Sequence, residues 1–182
     1  MEKTVADHLS KTALTLNNDK IIKVLHVDDD ENSLSITKLH LQKIGSFQID
    51  SVLSVRDAYK KLKQKHYDVI ISDYIMPDRN GLEFLKQLRN EQNNIPFVLF
   101  TGTNRKEVLI DALNLGAYRY FNKNENPDTL YLELAHSLNF ASLVTDIKKT
   151  ENELIESENK FRAITAAARD ALILIDNNGN CL

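Results

Sequence analysis

The chain has 182 residues, 42% hydrophobic and 27% charged, enough to bury one full core and part of a second. A formal net charge of −3 lacks the clustered-basic signature of sequence-independent nucleic-acid binding, and the lysines at 60, 61, 63 and 65 have the spacing of a solvated helix face. A single cysteine, Cys181, excludes an intrachain disulfide framework; with no apolar signal core and no apolar run near about 20 residues, neither nucleic acid nor membrane is an expected partner and the cytoplasm is the expected compartment.

Residues 1–20 are polar, with weak helical spacing at Val5, Leu9 and Leu16 and a turn-like Asn17-Asn18-Asp19, and read as a mobile extension. From Ile21 onward, apolar runs alternate with segments of helical period. The runs are Ile21 to Val27, Phe47 to Leu53, Val69 to Ile71, Ile95 to Phe100 and Tyr118 to Phe121. Between them, apolar residues recur three, four or seven apart, as in Leu34, Leu41 and Ile44 or Leu82, Leu85 and Leu88. Strand and helix in alternation predict a parallel sheet covered on both faces, because parallel neighbours need crossovers and crossovers are right-handed. The prediction is one doubly wound α/β domain over residues 21–139.

The carboxyl ends of strands in such a sheet share one edge, so the residues that close each run should converge. The first run closes on Asp28, Asp29 and Asp30, the third on Asp73, the fourth on Thr101, and the fifth leads to Lys123. Pro77 and the Asn80-Gly81 pair force a turn soon after Asp73. Carboxylates about 4 Å apart repel by roughly 4 kcal/mol at an effective dielectric of 20, so acids gathered at one edge call for a cation. A hard divalent ion, Mg²⁺, answers that need and leaves positions for a phosphoryl oxygen. Lys123 and Thr101 would stabilise further oxygens while Asp73 attacks in line, with Gly102 keeping the approach open.

The acids Asp28 and Asp29, the segment Asp73-x-x-Met76-Pro77-x-x-x-Gly81, Thr101-Gly102, and Tyr120 ahead of Lys123 together resemble the receiver domain of two-component response regulators. The resemblance implies a flavodoxin-like five-stranded parallel sheet of order 2-1-3-4-5 with a C-terminal helical extension. It implies phosphorylation of Asp73 by a histidine kinase. Mg²⁺ would be bound by Asp29, Asp73 and the backbone carbonyl of Ile75 with Asp28 in support, and Thr101 and Tyr120 would form a pair that moves when the phosphoryl group arrives. Such a chain is no stand-alone enzyme, but it catalyses its own phosphorylation and a slow loss of the phosphate. Slowness is expected because Ile75 and Thr103 cannot orient an attacking water as an acid or amide would. Receivers usually place a proline after the lysine; here Asn124 stands there, so a trans bond and an altered loop before Pro127 are expected.

Rival readings attach to the same residues. Asp30 has the place of a helix cap. Asp28-x-Asp30 is similar to the nucleophile and acid/base pair of haloacid-dehalogenase-like phosphohydrolases, although that reading leaves Asp73 unexplained. A third alternative is a phosphate-independent pseudo-receiver that serves only as an interaction module. His26, inside the first run, reads as a satisfied core residue.

From Pro127 a long helix is expected, with Leu130, Leu134, Leu138 and Ala141 on one face. A second stripe then begins: Phe140, Leu143, Ile147, Leu154, Phe161, Ile164 and Ala168 fall on a and d heptad positions, interrupted by Thr150 and Ser157. Residues 140–169 therefore read as a helical linker and possible coiled coil, with a homodimer as one option. Residues 170–182, with an apolar Ala171 to Ile175 and an Asn178-Gly179 turn, are similar to the first strand and hairpin of a PAS domain. They carry its opening without the rest of the roughly 100 residues such a domain needs. An output domain or partner outside this sequence is expected to receive the signal.

Overall fold

A computed structural model describes the backbone of residues 20–176 and the side chains of residues 20–166. The order is β1 (Ile22–Val27), α1 (Glu31–Ile44), β2 (Phe47–Val52), α2 (Val55–Gln64), β3 (Val69–Ser72), α3 (Gly81–Asn90), β4 (Phe97–Thr101), α4 (Lys106–Asn114), β5 (Arg119–Asn122) and α5 (Pro127–Asp176). The expected N-terminal extension, up to residue 19, lies outside the described residues.

The strands form one parallel sheet in the order β2-β1-β3-β4-β5, as expected. Successive side chains of a strand point to opposite faces, so each buried strand feeds two cores. Val24, Val69, Ile71, Val98 and Phe100 face a cluster completed by Leu41 of α1 and by Leu130, Leu134 and Leu138 of α5. Their neighbours Leu25, Ile70, Phe97 and Leu99 face the other cluster, with Ala58 of α2, Phe84 and Leu88 of α3, and Val108 and Ala112 of α4. This two-sided burial explains why the strands read as continuous apolar runs rather than as alternations.

The entries of the first three helices are fixed by short polar side chains. The Asp30 carboxylate accepts from the Asn32 N–H at 3.0 Å, so the cap reading holds. Ser54 caps α2, and Asn80 with Glu83 forms a reciprocal capping box at α3. Asp30 and Ser54 stand just beyond the carboxyl ends of β1 and β2, so these helix starts share an edge with the strand ends.

The packed unit closes at Leu143, and a second unit begins at Val144. Within the second unit, residues 147–166 are exposed along the helix, where Lys149 pairs with Glu153, Lys160 with Glu156 and Arg162 with Glu158 at i, i+4 spacing. Such pairs add a few tenths of a kcal/mol each to an isolated helix. The helix continues to Asp176, so the strand expected over Ala171–Ile175 is not formed. A short apolar run has no fixed identity: without partner strands its backbone groups are satisfied within the helix that precedes it. The expected turn at Asn178-Gly179 lies outside the described residues. Among the described residues no helix is long and apolar enough to cross a membrane.

Candidate active site at the carboxyl edge of the sheet

The parallel sheet brings Asp28, Asp29, Asp73, Thr101 and Lys123 to one edge, each at or just after a strand end. Lys123 is the centre of the cluster. Its Nζ lies 2.6 Å from Asp28 Oδ2 and 3.0 Å from Asp73 Oδ1, and 5.6 Å above the Phe100 ring. Burial pulls this ammonium down, but the hydrogen bond to Asp28 and the charges of both carboxylates override it and hold the group above its ordinary range.

The two carboxylates it bridges are pushed apart by their surroundings. Burial would raise Asp28, yet bonds from Lys123, from the Ser33 hydroxyl at 2.6 Å and from the Asp30 N–H at 3.1 Å hold it below the usual range. Asp73 is raised: burial dominates, the Asp28 charge adds to it, and Lys123 with the Ile75 N–H at 2.7 Å compensates only in part. Asp28 is thus the fixed anion of the site and Asp73 the strained one.

Asp29 is exposed beside these two buried acids, and one carboxylate oxygen from each of Asp28, Asp29 and Asp73 lies within 4.8 Å of the others. An octahedral hard cation with bonds near 2.1 Å needs ligand oxygens about 3 Å apart when adjacent and about 4 Å apart when opposed, a spread this cluster accommodates. Three carboxylates against one ammonium leave two negative charges, which one divalent ion would neutralise. The donor set, all oxygen and no sulfur or imidazole, suits magnesium or a similar hard ion. The Ile75 side chain is exposed at 63%, and its N–H is the group that touches Asp73.

Thr101 closes β4 fully buried, and its Oγ1 accepts from the Thr103 N–H at 3.4 Å. Tyr120 is half-buried and its hydroxyl donates to the Thr103 carbonyl, so both members of the expected pair meet on the β4–α4 loop. Asn124 follows Lys123 through a trans bond, as expected. Its Nδ2 donates to the Gly102 carbonyl at 2.7 Å and its N–H to Asn122 Oδ1 at 2.9 Å, tying the two loops that flank the site.

Two glycines near the site differ in what the packing asks of them. A Cβ on Gly102 would meet only the Asn124 side chain, at 3.9 Å, so the packing of the protein itself does not require a glycine there. A Cβ on Gly81 would lie 2.2 Å from the Asp73 carbonyl oxygen and 2.9 Å from Leu99 Cδ1. Gly81 therefore lets α3 begin directly against the backbone of Asp73. His26 departs from expectation: it is fully buried, but neither ring nitrogen has a hydrogen-bond partner, and Asp28 Oδ2 is 4.0 Å away. Burial first, and the Lys123 charge with it, take this imidazole down to about 4 against the pull of Asp28, so it is neutral near pH 7. Ser33 and the Asn124 tie went unread in the sequence; Ser33, one turn into α1 from the capping Asp30, is the more legible of the two.

Residues 24–135 match the response regulator receiver domain family, more than half of the chain. The response regulator SaeR of Staphylococcus aureus is 27% identical over 133 residues, 73% of this chain and 55% of that protein. The chain thus spans about half the length of the curated relatives it matches. Among solved structures, the receiver domain of Francisella response regulator 1452 is 27% identical with a TM-score of 0.61, covering 68% of this chain and 98% of that one. Chemotaxis response regulator CheY4 of Vibrio cholerae is 30% identical with a TM-score of 0.58, covering 65% and 99%. Sheet order, the acids and lysine gathered at its carboxyl edge, and the family match over residues 24–135 agree: this chain belongs to the response regulator receiver domain family.

Proposed function

We propose that Asp73 accepts a phosphoryl group from the phosphohistidine of a histidine kinase, in a Mg²⁺-dependent reaction. The observation that carries this reading is the Asp73 carboxylate itself, buried at the sheet edge with Lys123 on one oxygen and the Ile75 N–H on the other. A carboxylate oxygen attacks phosphorus, the P–N bond of the donor breaks, and the leaving imidazole keeps that electron pair and takes up a proton. The product on Asp73 is a mixed anhydride. Lys123 donates to one phosphoryl oxygen and the Thr101 hydroxyl to another, which stabilises charge where it develops. Asp29, Asp73 and the Ile75 carbonyl, with Asp28 in support, would hold Mg²⁺, whose role when bound is to neutralise the phosphoryl oxygens.

Once formed, the phosphoryl dianion recruits the Thr101 hydroxyl, and Tyr120 follows because both bond to Thr103. The altered state passes through α5, the last element of the sheet's cover, to an output domain or partner outside this sequence. A PAS domain opening within residues 170–182 is the proposed successor. The phosphate is held for long times, because the side chain two residues past Asp73 is the exposed, apolar Ile75.

The phosphohydrolase alternative finds less support. Asp30, its required acid/base, is engaged as the α1 cap, and both oxygens of Asp28 are already bonded. The test is incubation with acetyl phosphate and Mg²⁺ followed by intact-mass measurement. One added phosphoryl group, lost in Asp73→Asn, is expected. Labelling that survives Asp73→Asn and disappears in Asp28→Asn would favour the phosphohydrolase, and labelling of neither would leave a phosphate-independent interaction module.

A further inference from the structure

We infer that the groove between α2 and the loop joining β3 to α3 is a binding site for a nucleoside polyphosphate, separate from the phosphoacceptor cluster. The groove has a volume of about 570 Å³, within the roughly 300–1,000 Å³ of small-molecule sites. Its walls carry Arg56, Lys60 and Lys63 from α2 and Arg79 from the loop, against the single acid Asp78. A concave surface with four cations on a chain of net charge −3 concentrates positive potential where the protein as a whole does not.

Two of these cations are engaged by the protein and two are left for a ligand. Lys60 is held by Asp57 at 2.8 Å, and Arg79 by the Gln87 side chain. Among the described residues the Arg56 and Lys63 side chains make neither a hydrogen bond nor a salt bridge. Lys65, from the same basic run, is spent elsewhere on Asp50 at 2.9 Å. Positions 56, 60 and 63 lie on one face of α2 and span about 10 Å of helix at 1.5 Å per residue. One orthophosphate cannot bridge that span, and a chain of phosphates can.

An independent observation comes from Tyr59. Its ring stands edge-on to Phe84 at 5.4 Å and lines the groove beside Val55, which fixes an apolar wall against which a base can lie. Its hydroxyl is sealed from solvent and has no hydrogen-bond partner, so Tyr59 offers the groove its ring and not a donor. Burial, together with the nearby Glu91 charge, pushes this phenol up to about 12, so the ring carries no charge near neutral pH. Cations for phosphates and an aromatic wall for a base are the features a nucleotide requires, and an acidic peptide would use only the first.

The test is isothermal titration of the full chain with ATP, in EDTA so that metal-dependent binding at Asp73 does not contribute. Saturable one-site binding is expected, weakened about tenfold or more by Arg56→Ala with Lys63→Ala, since each loses charge-assisted hydrogen bonds. Inorganic pyrophosphate should compete and adenosine should not, Tyr59→Leu should weaken ATP while leaving pyrophosphate binding unchanged, and Asp73→Asn should leave ATP binding unchanged. Absence of saturable binding, equal affinity in the double variant, or an oligo-glutamate peptide that binds more tightly than ATP would each overturn the assignment.

Discussion

An ionised carboxylate at 6% exposure loses hydration that Lys123 and one N–H only partly replace, so Asp73 is held above its ordinary value. A raised acid binds its proton more readily folded than unfolded. Its contribution to stability is therefore full below the unfolded value of 3.8 and is lost as pH rises through the folded value. Asp73→Asn removes that loss, and at neutral pH the variant should be more stable by about 1 kcal/mol, or roughly 4 °C in melting temperature. The advantage should vanish below the unfolded value, where both forms are neutral; thermal melts across acid and neutral pH without divalent ions measure it, and an unchanged or lower melting temperature at neutral pH would contradict the account. Ile75 carries a second prediction at this scale. Ile75→Asn places an amide where it can orient water, and the half-life of the phosphorylated protein, followed by loss of the added mass, should shorten about tenfold. A half-life of seconds in the parent protein would instead show that Ile75 does not protect the phosphate.

At the scale of elements, the start of α3 is set by Gly81, whose missing side chain lets the helix N-terminus press on the Asp73 carbonyl. Gly81→Ala forces one of these backbones to move; a loss of about 2–3 kcal/mol is expected in urea unfolding, with slower acetyl phosphate labelling because Asp73 moves too. A variant of full stability and rate would mean that the loop relaxes freely. Strand ends were legible in the sequence because burial on both faces writes them as apolar runs, and Asp28, Asp73, Thr101 and Lys123 were read from what ended each run. Gly81 was read only as a turn residue, since contact between α3 and Asp73 is tertiary and leaves no periodic trace. The tie from Asn124 to Gly102 was illegible for the same reason: sequence marked Asn124 as a departure without naming the carbonyl that answers it. His26 was placed correctly inside a strand, but whether its nitrogens find partners depends on neighbouring strands that no local pattern specifies. The run Ala171–Ile175 was expected as a strand from its resemblance to the opening of a PAS domain, and a resemblance does not supply the neighbour that a strand must pair with.

For the molecule as a whole, the open question of assembly rests on the α5 segment beyond the packed unit. Leu154, Phe161 and Ile164 are each 68% exposed, more than large apolar side chains keep when they have a partner, and they fall on the a and d positions of one heptad frame. A parallel, in-register dimer would cover them. It would also set Asp146 against the partner's Glu151, and Glu153 against the partner's Glu158, pairing acid with acid on both flanks of the seam. Burial of the seam and repulsion along its flanks therefore oppose each other, and salt separates the two: shortening the screening length from about 10 Å at 0.1 M to about 3 Å at 1 M removes the repulsion and leaves the apolar term. Sedimentation at a series of protein concentrations should show weak self-association at low salt that tightens about tenfold at high salt. Glu151→Lys, which turns one repulsive pair on each flank into an attractive one, should tighten association at low salt and reduce its salt dependence. A dimer that weakens as salt is added would mean that attractive charge pairs hold it, as an antiparallel or shifted register would provide, and the parallel arrangement would then be excluded.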